Sequence, residues 1–248
     1  MIKLNGSIIL PTIFPDKTSQ IWKVHVPNRG PAIEIEWDFE SEDEFMHVAQ
    51  LKHLVSSESN RPVCLYLPYL PYGRQDKMVS SNATFALRTF ANLINSLEFD
   101  HVSCFDPHSD VASSSLNNFS AVYPNHEIIN AAYRCGATLF CYPDFGALNK
   151  YTRVMHEHPF IHGKKIRDQS SGVITHYDLV GDPSGQNVLI VDDICDGGAT
   201  FIFLVKALLL RGATEVNLYV SHGIFSKGTD ILKQAGIKNI FTKDGIKE

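Results

Sequence analysis

Five stretches of the chain share one pattern: an apolar, β-favouring run that stops abruptly in polar or glycine-bearing sequence. "VCLYLPY" leads into "LPYGRQDK", "HVSCFDPH" into "SDVASSS", and "TLFCYPD" into "FGALNK". "VLIVDD" leads into "ICDGGAT", and "EVNLYVSH" into "GIFSKG". Runs that are apolar at successive positions bury both faces, as strands of a parallel sheet do. Helical-length segments lie between them, near 82–97, 126–135, 200–211 and 228–235. Strand and helix in alternation predict an α/β fold with doubly wound, mostly parallel sheets flanked by helices. The polar-end pattern occurs in both halves of the chain. It predicts two similar lobes, residues 1–125 and 126–248, divided at "YPNH".

Open α/β sheets bind ligands beyond the carboxyl ends of their strands. Arg74, Gln75, His108, Asp144, Asp192 and Asp193 all fall at such ends. One segment departs from the pattern. "HGKKIRDQSSG" (162–172) is polar, basic and flanked by glycines, which predicts a mobile surface loop.

Composition narrows the partners. The 248 residues are 44% hydrophobic and 20% charged, the balance of a soluble globular protein. A net charge of −5 gives no reason to expect nucleic acid or an anionic membrane as partner, so any phosphate must be held by local groups. The longest apolar run, "FIFLVKALLL", is half a membrane span and contains Lys206. The N-terminal "MIKLNGSIILPT" is too short an apolar run for a signal peptide. Cys64, Cys104, Cys135, Cys141 and Cys195 are odd in number and show no C-x-x-C spacing, which argues for a reducing compartment. A cytoplasmic protein is expected.

"VLIVDDICDGGATF" (188–201) holds the strongest chemistry. A buried strand delivers Asp192 and Asp193 at its carboxyl end, and Gly197-Gly198-Ala199-Thr200 opens the next helix. Glycines allow positive φ and close backbone approach, and the N–H groups of a helix start bind anions. Thr200 adds a hydroxyl. Carboxylates accept hydrogen bonds from a vicinal diol. Acids and an anion-binding turn on one loop are reconciled by a ligand with hydroxyls at one end and phosphate at the other, a sugar phosphate. A phospho-receiver domain also uses an acid pair at a strand end, but only 56 residues follow Asp192, too few for a domain of roughly 100. A strand–helix turn without a ligand would leave the acids unexplained.

This stretch resembles the phosphoribosyl-diphosphate (PRPP) motif shared by type I phosphoribosyltransferases, which consume PRPP, and ribose-phosphate pyrophosphokinases, which make it. Other segments favour the second group. "PYLPYGRQDK" (68–77) is similar to its "PYxxYxRQD" segment, "FDPHSD" (105–110) to its "DLH" and "YPDFG" (142–146) to its "SPDxGG". Lys165-x-Arg167 is similar to its catalytic-loop pair, and "SHGIFSKG" (221–228) to its "THGxFSxG". Order and spacing agree over residues 60–230.

The resemblance implies two phosphoribosyltransferase-like lobes, the first on the nucleotide side and the second on the ribose 5-phosphate side. It implies transfer of the β,γ-diphosphoryl group of ATP, the co-substrate, to the 1-hydroxyl of ribose 5-phosphate, giving PRPP and AMP. It assigns Lys165 and Arg167 to catalysis, and Arg74, Gln75, Asp16 and His108 to ATP. His108 and Asp144 fall to magnesium (Mg2+), and Asp192, Asp193, Asp196, Gly197, Gly198, Ala199 and Thr200 to ribose 5-phosphate. A homo-oligomer, dimer or hexamer, is implied as well.

Departures qualify it. The chain is shorter than typical members. In the nucleotide segment, "FPDKTSQIWKV" (14–24), Asp16 survives but no D-G-E follows. "KMVSSNAT" and "SDVASSS" replace regions linked to regulation, which predicts reduced or altered allosteric control. Ala199 stands where a glycine is usual. Two alternatives are a non-catalytic regulatory subunit of this family and a PRPP-consuming phosphoribosyltransferase.

Overall fold

A computed structural model describes residues 1–155, 158–167 and 174–247, with the side chains of 165–167 and 174–177 left outside the description. The chain forms two compact units, Met1–Val122 and Tyr123–Glu248. The division falls three residues before the 125/126 boundary expected from sequence, at the end of a strand.

The first unit opens with β1 (Ile2–Leu4), β2 (Ser7–Ile9), β3 (Thr12–Ile13), β4 (Ser19–Gln20) and β5 (Ile33–Trp37). It continues through α1 (Glu44–Glu58), β6 (Val63–Leu67), α2 (Ala86–Asn95), β7 (His101–Phe105), α3 (Val111–Ser115) and β8 (Phe119–Val122). The main sheet has the order β2-β1-β5-β6-β7-β8. β5 to β8 run parallel, and β1 and β2 add an antiparallel edge. Its core joins Ile33, Ile35, Leu65, Leu67 and Val102 of the strands to Val48, Leu51 and Val55 of α1 and Leu87, Ala91 and Ile94 of α2. α1 was not legible in the sequence. Its buried stripe includes Glu44 and His47, which blunt the apolar periodicity that marks a helix. Glu44 is buried because Trp37 Nε1 and the backbone N–H of Glu40 each donate to its Oε2 at 2.8 Å.

The second unit runs α4 (Asn125–Cys135), β9 (Leu139–Tyr142), α5 (Phe145–Thr152), β10 (Phe160–Arg167), β11 (Ile174–Val180) and β12 (Asn187–Cys195). Then come α6 (Ala199–Leu210), β13 (Glu215–Gly223), α7 (Asp230–Ala235), β14 (Ile237–Thr242) and β15 (Gly245–Lys247). The sheet order is β11-β10-β9-β12-β13-β14-β15, parallel except at its two edge strands. Alternate residues of β12 serve opposite layers. Val188 and Ile190 pack with Leu204 and Leu208 of α6, and Leu189 and Val191 with Ile128 of α4 and Tyr151 of α5. The five apolar runs are the strands β6, β7, β9, β12 and β13, so each unit is a mostly parallel sheet flanked by helices.

The expected loop over 162–172 is corrected in its first half. Residues up to Arg167 form β10, which pairs antiparallel with β11 from His162↔Val180 to Arg167↔Ile174, with an irregularity between Ile166 and Arg167. Composition misled because the buried positions of this hairpin, Ile161, Gly163 and Leu179, alternate with more exposed ones, and a glycine at one of them hides the apolar alternation that marks a strand. Residues 168–172 lie outside the described part.

Candidate functional site

In the second unit the carboxyl end of β12 gathers the predicted sugar-phosphate residues. β12 lies between β9 and β13 in the middle of the sheet. Asp192 is half-buried and Asp193 is buried. The backbone N–H of Asp193 donates to Asp192 Oδ1 at 3.0 Å. Loss of water around Asp192, then the charges of Asp193 and Asp144, push its carboxyl well above the usual carboxylate range. Lys150 of α5 meets the group from the other side, with Nζ 3.7 Å from Asp193 Oδ2.

Beyond the acids the chain turns through Asp196 and Gly197 to Gly198, which has φ +73° and precedes α6. The helix starts at Ala199, with Thr200 half-buried in its first turn. Gly198 is required twice over: its φ is left-handed, and a Cβ there would stand 2.9 Å from Leu232 Cδ2. The start of α6 therefore packs directly on α7, leaving its first backbone N–H groups without helical partners. Ala199, by contrast, is exposed and is the first residue of the helix.

The segment 221–228 closes over this turn. The N–H groups of Ile224 and Phe225 both donate to the Cys195 carbonyl, at 2.9 and 3.0 Å. Phe225 has φ +46° and lies over Gly223, where a Cβ would come within 2.0 Å of its ring. Ser226 and Lys227 flank Gly197: Ser226 Oγ and Lys227 Cε would be 3.9 and 3.7 Å from a Cβ at that glycine. The turn is thus lined by backbone donors, a hydroxyl and an exposed ammonium.

Asp144 ends β9 and caps α5, its Oδ1 accepting from the Ala147 N–H at 3.1 Å. The capping bond gives it a structural duty besides its charge on Asp192. His108 belongs to the first unit and Asp144 to the second, so the two residues assigned to magnesium sit on separate bodies. Among the described residues no three His, Cys, Asp or Glu side chains converge as a protein-only metal cage. Magnesium commonly takes one or two carboxylates and completes its octahedron with water and substrate phosphates. The carboxylates of Asp144 and Asp192, close enough for the charge of one to act on the other, fit that chemistry.

In the first unit, β6 ends at the turn that carries Arg74 and Gln75, both exposed. Gly73 lets this turn approach the end of β7: a Cβ there would lie 3.1 Å from the Leu70 carbonyl oxygen and 3.8 Å from His108 Cβ. Arg74, Gln75 and His108 therefore share one end of one sheet. Gln75 lines a cleft of about 390 Å³ with Phe39, Glu42, Tyr69 and Tyr72. The Tyr72 hydroxyl donates to Glu42 Oε1, a bond that pushes its pKa up to about 12. Asp16 sits in the β3–β4 hairpin, where its Oδ1 accepts from Thr18 N and Thr18 Oγ1 at 3.0 and 2.7 Å. That turn accounts for its presence locally, and the Thr18 hydroxyl holds its pKa below the usual range. The backbones of Lys165 and Arg167 belong to β10; their side chains lie outside the described residues.

Lys150, Ser226, Lys227 and the Glu42–Tyr72 pair were not foreseen. Lys150 carries no motif, and only the fold brings it to Asp193. Lys227 lay inside a recognised segment, at one of its two variable positions.

A phosphoribosyl transferase domain model matches residues 153–247. The ribose-phosphate pyrophosphokinase of Pyrococcus abyssi is 31% identical over 239 residues, covering 92% of this chain and 81% of its own. That of Bradyrhizobium diazoefficiens is 25% identical over 217 residues, covering 84% and 68%. Against other matched relatives the chain spans as little as 56% of their length. The crystal structure of phosphoribosylpyrophosphate synthetase from Mycobacterium smegmatis superposes with a TM-score of 0.78 at 19% identity, covering 96% of this chain and 81% of that one, and shares the fold. Two phosphoribosyltransferase-like units, the β12–α6 turn and the match along nearly the whole chain lead to one conclusion: this chain belongs to the ribose-phosphate pyrophosphokinase family.

Proposed function

We propose that the protein transfers the β,γ-diphosphoryl group of ATP to ribose 5-phosphate, releasing AMP and PRPP. The observation that carries the reading is the end of β12, where an acid pair and an open helix start meet on one short turn. The ribose hydroxyls lie on Asp192 and Asp193. The 5-phosphate lies on the backbone N–H groups of Gly197 to Thr200, with Asp196 beside it and Thr200 as hydroxyl donor. The 1-hydroxyl oxygen attacks the β-phosphorus of ATP. The bond from that phosphorus to the α,β-bridging oxygen breaks, AMP leaves with the electron pair, and the hydroxyl proton goes to solvent or a base. Such a transfer needs placement and charge neutralisation more than covalent help.

Lys165 and Arg167 supply the neutralising cations, Arg167 as a planar fork and Lys165 as a point charge. Arg74, Gln75 and His108 take the nucleotide, with Asp16 at the edge of that side. His108 and Asp144 are the residues that would take magnesium, which when bound with the substrate phosphates would supply further charge neutralisation. The protein is read as cytoplasmic, as a homo-oligomer, and as weakly regulated in the segments that replace the family's usual ones. No membrane-spanning helix is present among the described residues.

Incubation with ribose 5-phosphate, ATP and magnesium, followed by chromatography, tests the reaction. AMP that accumulates only when both substrates are present is the expected result. Absence of AMP would overturn it in favour of a non-catalytic family member. PRPP consumed in the presence of a nucleobase, with no AMP, would point to a phosphoribosyltransferase.

A further inference from the structure

Lys150 stands behind Asp193 of the proposed sugar site, outside the motif segments. It lies on α5, six residues after Asp144. Its side chain is 14% exposed and that of its partner Asp193 is 8% exposed. Burying two charges is expensive, and an apolar pair of similar size often holds two elements together as well or better. α5 already has apolar contact with β12, through Tyr151 against Leu189 and Val191. The ion pair is therefore not needed to dock the helix. What an apolar pair lacks is the ability to hold a carboxylate in place. It also cannot offset the charge of Asp144, Asp192 and Asp193, which would repel a phosphorylated ligand. Asp193 is further tied to Asp192, because its N–H donates to Asp192 Oδ1 at 3.0 Å. That bond runs from the strand backbone, so what Lys150 holds is the Asp193 side chain, through Oδ2.

We propose that Lys150 is a positioning residue for sugar-diol recognition, holding the Asp193 carboxylate where a ribose hydroxyl reaches it. The role rests on the reading of β12 as the ribose 5-phosphate site. Lys150 itself touches neither substrate. Its loss should show in the sugar and not in the nucleotide.

The test compares KM for ribose 5-phosphate, KM for ATP, kcat and melting temperature across wild type, Lys150→Met and Lys150→Arg. Lys150→Met is expected to raise the ribose 5-phosphate KM about tenfold or more, the usual scale for a lost supporting contact. The ATP KM should stay within about twofold, and Lys150→Arg should recover most of the sugar affinity. A merely structural role would lower the melting temperature and spare the sugar KM, or move both KM values together. Should Lys150→Met not fold, Lys150→Gln, which keeps a donor toward Asp193 without the charge, is measured in the same way. An unchanged sugar KM in whichever of these folds overturns the role. Wild type that releases no AMP defeats the functional reading and this inference together. Normal wild-type turnover with an unmoved sugar KM in the variant defeats the inference alone.

Discussion

The proposed sugar end of the second unit and the proposed nucleotide end of the first are built differently. The turn after β12 is fixed from several sides: Gly198 against Leu232, Phe225 over Gly223, two N–H groups on the Cys195 carbonyl, and Lys150 on Asp193. Arg74 and Gln75, by contrast, are exposed on a turn, and Asp16 spends its carboxylate on its own hairpin. A site assembled from buried, mutually supporting groups tolerates little change, whereas one assembled from exposed side chains can drift. The departures from the family pattern follow this line. The β12 turn keeps its acids, and Ala199, which stands where a glycine is usual, falls at an exposed position. The nucleotide segment has lost more.

The contrast can be attacked by substitution. The largest effect is expected at the β10–β11 hairpin, which carries the two cations proposed for catalysis. Lys165→Ala should cut turnover by about 10²–10³-fold while ribose 5-phosphate still binds by calorimetry; retained turnover would remove Lys165 from catalysis. Next come the glycines of the sugar end. Gly223→Ala would drive a methyl into the Phe225 ring, and Gly198→Ala would both clash with Leu232 and strain a left-handed φ. Each should cost about 1–3 kcal/mol, or a drop of roughly 2–4 °C in Tm per kcal/mol, together with weaker sugar binding. A melting curve matching wild type would show that the turn is looser than described.

Asp192→Asn sharpens the comparison through its sign. The native carboxyl is shifted upward by loss of water, by Asp193 and by Asp144, so the folded state binds the proton more tightly than the unfolded one. Stability should therefore fall as pH rises from the unfolded carboxylate range through the raised folded value. Asparagine removes that penalty. The variant should melt higher than wild type at neutral pH yet bind ribose 5-phosphate more weakly. A variant less stable at neutral pH would mean that the carboxylate is better compensated than its neighbours suggest. The smallest effect is expected on the exposed side. Gln75→Ala should raise the ATP KM only a few-fold, about 1 kcal/mol for one hydrogen bond, and leave melting unchanged. A loss as large as that of Lys165→Ala would reverse the contrast.

The same asymmetry governed what the sequence disclosed. Buried parallel strands announce themselves through unbroken apolar runs, so β6, β7, β9, β12 and β13, and the ligand end they define, were legible. The β12 acids and glycines were legible because acid beside an anion-binding turn is rare without a ligand. α1 was hidden by Glu44 and His47 in its buried stripe. The β10–β11 hairpin was hidden because Gly163 fills a buried position where an apolar side chain would have marked the alternation. Asp144 was read only as a metal ligand, although its capping bond to Ala147 is a plain N-cap interaction that its position before a helix allows. Lys150 had no local signal, since its meaning comes from Asp193, 43 positions away.

The most direct test is to follow ATP, ribose 5-phosphate and magnesium with the protein by 31P NMR. The β- and γ-phosphorus atoms of ATP should move together, giving AMP and a sugar C1-diphosphate in equal amounts, with no ADP. Formation of ADP with a singly phosphorylated C1, or ATP left unchanged while ribose 5-phosphate is bound, would contradict the account.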